Sequence, residues 1–153
     1  MSTQLVCAVV IRHHPVSHDI RHFPQLFSQM IAIAPMRVMA LDKGYDAEHI
    51  HQMIRNENVI SVIPVRKRED CPIRRTRGTY RKQMRRKFDE SLYHQRNKCE
   101  PIFSVIKRRF GSKIKSYDDT MKEKELLYRV LACNCHRMCM ISALVWMMSR
   151  EHL

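Results

Sequence analysis

The sequence predicts an α/β fold, a sheet with parallel parts flanked by helices. Two observations predict it. Three strand-like runs lie in the first 65 residues, at Gln4–Ile11, which is apolar and β-branched, Met36–Leu41 and the apolar Val59–Val65. Segments of helical periodicity separate them, and the resulting β-α-β-α-β order implies right-handed crossovers. At 153 residues the chain fits one domain with a real core, residues 1–153.

Gln4–Ile11 reads as a buried strand, ended by His13-His14-Pro15. Ser17 is the expected N-cap of a helix to about Ile33, with Asp19 in its first turn and Pro24 kinking or delaying it. Ile20, Phe23, Phe27, Met30 and Ile31 give that helix its apolar face. His13, His14, His18 and His22 are dense here, and solvated or phosphate-facing roles are favoured over metal binding. Met36–Leu41 is the next strand, with Asp42 at its carboxyl end, where functional groups of such sheets collect. Gly44 supplies a turn, Asp46 caps a helix over Ala47 to Asn56, and Val59–Val65 closes the unit as a strand.

Residues 66–87 break the composition. These 22 residues hold 11 Lys and Arg against 2 acids, most of the chain's +13. The cations are Arg66, Lys67, Arg68, Arg74, Arg75, Arg77, Arg81, Lys82, Arg85, Arg86 and Lys87. The block reads as a basic insertion or loop that turns helical over Tyr80–Lys87. Such a run repels itself unless an anion lies against it, so DNA or RNA is the expected partner. Tyr80 is its one aromatic, which gives base stacking little support. The longest apolar run, Cys139–Met148, is too short to span a bilayer, so no membrane partner is expected. Gln4–Ile11 lacks a signal peptide's basic flank, and the chain reads as cytoplasmic and nucleoid-associated.

Tyr93–Lys107 carries the densest chemistry. Tyr93, Arg96, Glu100 and Lys107 stand at offsets 0, 3, 7 and 14, one narrow stripe of a continuous helix. Leu92, Cys99, Phe103, Ile106 and Phe110 form an apolar stripe beside it. By residues alone, an ordinary amphipathic helix with solvated charges is the favoured reading. Pro101 removes a helical N–H and disfavours helix at Glu100. Phe110-Gly111 marks a C-cap. A last helix opens near Thr120 with Glu123 in a capping box, and carries Leu126, Leu127, Val130, Leu131, Ile141 and a core Trp146. Cys133, Cys135, His136 and Cys139 invite a zinc reading, but on a helix Cys133 and Cys135 point apart, and buried small side chains are favoured.

The pattern Tyr-x2-Arg-x3-Glu-x6-Lys at Tyr93, Arg96, Glu100 and Lys107 resembles the signature of a large group of insertion-sequence DDE transposases. Ala40-Leu41-Asp42-Lys43-Gly44-Tyr45-Asp46 looks like the second-aspartate motif of the same group. The resemblance covers most of the chain and implies an RNase H-like mixed sheet flanked by helices. It implies Mg2+ or Mn2+ bound by Asp42 and Glu100, which serve as catalytic carboxylates. Arg96 and Lys107 become phosphate ligands and Tyr93 a backbone or terminal-phosphate contact. Two metals acting on an in-line displacement need converging carboxylates, and Asp42 and Glu100 are the pair that chemistry and resemblance select together.

No residue here matches the family's first aspartate, which the resemblance places on a strand before Gln4–Ile11. Asp19, in the following helix, is a poor substitute. The expectation is therefore an N-terminally truncated catalytic domain lacking its first strand or strands. It would act in DNA transposition, by metal-dependent strand cleavage and joining on transposon ends and target, and be inactive or impaired as this chain. Active relatives are expected to work as homodimers. The competing reading is a non-enzymatic, basic DNA-binding protein derived from a transposase.

Overall fold

A computed structural model describes residues 4–11, 18–66, 72–98 and 100–150. Ser17, His13, His14, Lys67, Arg68 and Cys99 lie outside them, as do the side chains of Lys98 and Glu100. The chain packs as two compact units, one of His14–Asn97 and one of Met1–His13 with Lys98–Leu153.

The first unit is α/β. Helix α1 spans Phe23–Ile33, after a 3-10 turn at Asp19–Arg21. Pro24 sits in the first turn, where its missing N–H leaves no gap. The helix is thus delayed rather than kinked. Strand β1 (Val38–Ala40) and strand β2 (Ile60–Val62) pair in parallel, with Met39 opposite Ser61, and helix α2 (Glu48–Asn56) links them. The two-stranded sheet is short, but two further bonds extend it, from the Leu41 N–H to the Val62 carbonyl at 3.0 Å and from the Ile60 N–H to the Arg37 carbonyl at 2.9 Å. Phe23, Phe27, Met39, Ile50, Ile54, Val59 and Ile63 form the core beneath it. Phe23 stacks on Phe27 at 5.5 Å and meets Tyr45 at 5.6 Å. Gly44 has no positive φ and open space at its Cβ, so the turn after Asp42 does not require glycine.

Helix α3 (Thr79–Arg86) realises the helical end of the basic block. Gly78 precedes it at φ +94° with no side chain to cap it. Glu48, in the first turn of α2, supplies the cap instead. Its carboxylate accepts the Tyr80 N–H at 3.0 Å and the Arg81 N–H at 3.1 Å. A Cβ on Gly78 would meet Glu48 Oε2 at 2.0 Å, so glycine is needed for both its φ and the approach.

The expected helix through Tyr93–Lys107 is not continuous. Helix α4 (Glu90–His94) runs into a 3-10 turn at Gln95–Lys98, and helix α5 (Glu100–Phe110) starts afresh. Pro101 explains the restart: it is tolerated in a first turn and not in a helix interior. The signature residues therefore do not share one stripe. Tyr93 and Arg96 belong to the first unit, and Glu100 and Lys107 to the second. The break also resets the helical phase, so α5 buries Ile102 and leaves Phe103 68% exposed.

In the second unit helix α6 covers Asp119–Arg150. Asp118 caps it, accepting the Met121 N–H at 3.2 Å, in place of the expected Thr120–Glu123 box. Leu127, Leu131 and Trp146 are exposed, against expectation, while Arg129 and Cys133 are buried. Cys135 and Cys139 are exposed as well, so only Cys133 fits the expected buried role. Arg129 explains part of this facing. It donates to the Gly111 and Lys113 carbonyls at 2.8 Å each and pairs with Glu125, clasping the α5–α6 connection onto α6. Gly111, at φ +83°, ends α5 as expected. Residues 4–11 form no regular element and pair with no strand among the described residues, contrary to the expected buried strand. The Asn134 amide takes the place of a neighbour: Val6 N–H donates to its Oδ1 at 3.0 Å, and its Nδ2 donates to the Val6 carbonyl at 2.8 Å.

Gly78→Ala should lower stability by about 2 kcal/mol or more through strain at positive φ and loss of the Glu48 cap. Gly44→Ala should stay within about 0.5 kcal/mol of wild type. Urea midpoints check both, and equal effects would reject the role given to Gly78. Acid should loosen the second unit. The Ser116 hydroxyl, above all, with the Ser116 and Lys115 N–H groups and Arg129, holds the Glu125 carboxyl down at about 2, against an ordinary 4.5. A depressed carboxyl contributes stability that is full above pH 4.5 and lost as pH falls through about 2. Glu125→Gln should flatten that part of an acid melt followed by amide exchange at 111–118, and an unchanged profile would refute the clasp.

Candidate functional site: the Asp42 turn and the arginine face

Asp42 follows β1 and opens a 3-10 turn at Lys43–Tyr45. Its Oδ1 accepts the Lys43 N–H at 3.0 Å, which fixes the carboxylate at the strand end. The side chain stays 61% exposed. Arg96 Nη1 comes to 3.9 Å from Asp42 Oδ2. An exposed pair at that distance contributes little stability, so its interest is positional. The Arg96 guanidinium also lies over the Tyr93 ring at 5.6 Å, and Tyr93 leans on Phe88 at 5.3 Å. Asp89 caps α4 beneath them, accepting the Leu92 N–H at 3.0 Å and the Ser91 hydroxyl at 2.7 Å. Those two bonds, Leu92 first, hold its carboxyl below the usual range. Two stretches more than 50 residues apart in sequence thus bring Asp42, Tyr93 and Arg96 together.

The second unit carries the other half of the signature. Glu100 is the first residue of α5, with its side chain outside the described residues, and Lys107 is exposed in the last turn beside Arg108 and Arg109. Arg109 donates to His136 Nε2 at 2.8 Å. A divalent cation would need several hard oxygen ligands. Asp42 fits on donor chemistry: an exposed carboxylate with one oxygen held only by a long ion pair. Among the described residues no group of three His, Cys, Asp or Glu is placed to hold a metal.

The basic block divides into two populations. Arg66, which is exposed, and Arg81, which is half-buried, are tied to the turn that holds Asp42 and Asp46. Asp46, fully buried at its side chain, accepts Arg81 Nε at 2.7 Å and Nη2 at 2.8 Å, and the Arg66 N–H at 2.8 Å. Asp46 therefore does not cap α2 as expected, because it ties the basic block to the Asp42 turn. Arg66 completes the tie, donating Nε to the Lys43 carbonyl and Nη2 to the Gly44 carbonyl, both at 3.1 Å. Arg74, Arg75, Arg77, Arg86 and Lys87 are exposed, and Lys82 and Arg85 half-buried. Arg85 donates to the Thr76 hydroxyl at 2.7 Å. Tyr80 packs inward on His51 at 6.3 Å and under Arg55 at 5.6 Å.

Sequence reasoning gave no role to Glu48, His51 or Ser61. His51 Nδ1 and Ser61 Oγ are 2.8 Å apart, both fully buried, and Arg55 Nε donates to the same hydroxyl at 3.1 Å. Burial pushes His51 below its ordinary 6.5, against the pull of Glu48 and Asp46. The available signal was the placement of two acids, Asp46 and Glu48, upstream of an 11-cation block that had to find anions.

The α/β unit thus presents an acidic turn at a strand end, faced by Arg96. The chain matches the family model described as "Transposase DDE domain" over residues 1–135. It belongs to that family of DDE transposases. No curated protein and no solved structure matches it. No helix among the described residues is long and apolar enough to cross a membrane.

Asp46→Asn should destabilise the first unit by about 2 kcal/mol, short of the 3–5 typical of a fully buried pair because Arg81 retains access to water. Chemical denaturation with a probe in α3 measures it. A change under about 0.5 kcal/mol would show that the tie is incidental.

Proposed function

We propose that this chain is the catalytic-domain part of an insertion-sequence transposase, acting in metal-dependent DNA strand cleavage and joining. The observation that carries the reading is the meeting of Arg96 and Tyr93 with Asp42, since the signature and the second-aspartate motif are expected to serve one site. In this reading Asp42 and Glu100 are catalytic carboxylates and metal ligands on a single RNase H-like domain. Bound Mg2+ or Mn2+ would supply Lewis-acid activation of the phosphodiester. Arg96 and Lys107 take phosphates and Tyr93 makes a backbone or terminal-phosphate contact. Arg74, Arg75, Arg77, Lys82, Arg85, Arg86 and Lys87, with Lys67 and Arg68, hold DNA. Arg66 and Arg81 serve by holding the block in place. A homodimer on transposon ends, in the cytoplasm with the nucleoid, completes the proposal.

The exposed cations of the basic block favour a second reading, a DNA-binding protein without catalysis. Salt and metal separate the two. In both, duplex binding should weaken steeply with ionic strength. Only in the first should Mg2+ support nicking, and Glu100→Gln should then abolish it while changing duplex affinity less than about threefold. Equal nicking by wild type and Glu100→Gln would reject the metal-ligand assignment.

A further inference from the structure

The arginines of the basic block are not spread evenly. Arg66, Arg75, Arg77, Arg81 and Arg85 line one cleft, with Val65 and Thr76, between the end of the β2 segment, the 3-10 turn at Ile73–Arg75 and α3. Among the described residues, no carboxylate lines it. Asp46 meets Arg66 and Arg81 from behind, while Arg75 and Arg77 are exposed. Guanidinium forks are fixed and planar, and suit bidentate contact with phosphate oxygens better than ammonium groups do.

Its size bears on the ligand. The volume is about 480 Å³ and the cleft is open to solvent. A water's share of liquid is about 30 Å³, so a single small anion would leave most of the space empty. A phosphate with sugar on either side fills it better. Two features also make this a built site rather than a loose crowd of charge. Arg85 is steadied by the Thr76 hydroxyl, and Arg81 by both oxygens of Asp46.

We propose that this cleft seats one phosphate group of a DNA strand, gripped chiefly by Arg75, Arg77 and Arg85. The inference rests on the DNA-binding reading above and sharpens it: one phosphate is held in a formed site, while the remaining cations act by diffuse attraction. Arg66 bridges the cleft to the carbonyls of Lys43 and Gly44, so the seated phosphate is registered against the turn that Asp42 opens.

The decisive variants keep the charge. Arg75→Lys with Arg77→Lys removes the forks and retains both cations, whereas Lys82→Ala with Lys87→Ala removes two cations outside the cleft. Inorganic pyrophosphate is the small probe, followed by calorimetry, and a duplex of random sequence the large one, followed by fluorescence anisotropy across a salt series. Circular dichroism confirms that each variant is folded. The double Arg→Lys variant should lose at least tenfold in pyrophosphate affinity and several-fold in duplex affinity with the salt slope unchanged. The double Lys→Ala variant should keep pyrophosphate binding and lose up to about two in the salt slope. Duplex binding that ignores the Arg→Lys change, with no stoichiometric pyrophosphate binding, would overturn the cleft and leave the DNA reading standing. Failure of wild type to bind duplex at all would overturn both. Duplexes with 5′-phosphate and 5′-hydroxyl ends identify the source: equal affinity assigns the cleft to an internal phosphodiester, and tighter binding of the phosphorylated end assigns it to a strand terminus.

Discussion

The first unit depends on one buried carboxylate. Asp46 has no exposed side-chain surface, and a buried anion must be met by cations or N–H donors. Arg81 meets it with a fork and Arg66 with its backbone N–H. That single requirement draws residues from three stretches together: the turn after β1, the end of the β2 segment and α3. Glu48, two residues on, repeats the device by taking the N–H groups that open α3. A run of 22 residues carrying 11 cations would repel itself as a free segment. Two acids make a folded part of it.

This arrangement also sets what the acidic turn can do. Asp42 remains exposed because its neighbour Asp46 takes the structural load, and the two aspartates of one short motif thereby separate into a surface group and a buried one. Environment, not residue type, makes the difference. Arg96 approaches the exposed carboxylate from α4's end, with Tyr93 behind it. The cation near the carboxylate thus has an aromatic face beside it as well.

Much of the first unit was legible in the sequence because its signals are local. The strand-like runs at Met36–Leu41 and Val59–Val65 paired as parallel strands, and Phe23, Phe27, Ile50 and Ile54 entered the core. The errors arose where a distant partner decides. Asp46 looked like a helix cap because its true partner, Arg81, lies 35 residues away. Gln4–Ile11 looked like a buried strand, but composition cannot say whether a neighbouring strand is there to pair with it. The stripe through Tyr93–Lys107 assumed an unbroken helical phase, and Pro101 ended that phase. For the candidate site, Asp42, Tyr93 and Arg96 were singled out by resemblance to family motifs, while which arginines bind Asp46 and which stay free of it was not legible, since charge alone carries no direction.

The clip between Asn134 and Val6 spans 128 residues of sequence. His14–Asn97 packs as a unit within that interval. During synthesis, which runs from the N-terminus at roughly 5–20 residues per second, residues 14–97 can close their core before Asn134 exists. The apolar segment Leu5–Ile11 has to wait for a helix made more than 100 residues later. A β-branched, uncharged stretch left without its partner is the kind of sequence that pairs with copies of itself. A pause in translation between residues 11 and 134 would lengthen the time that Leu5–Ile11 waits for Asn134.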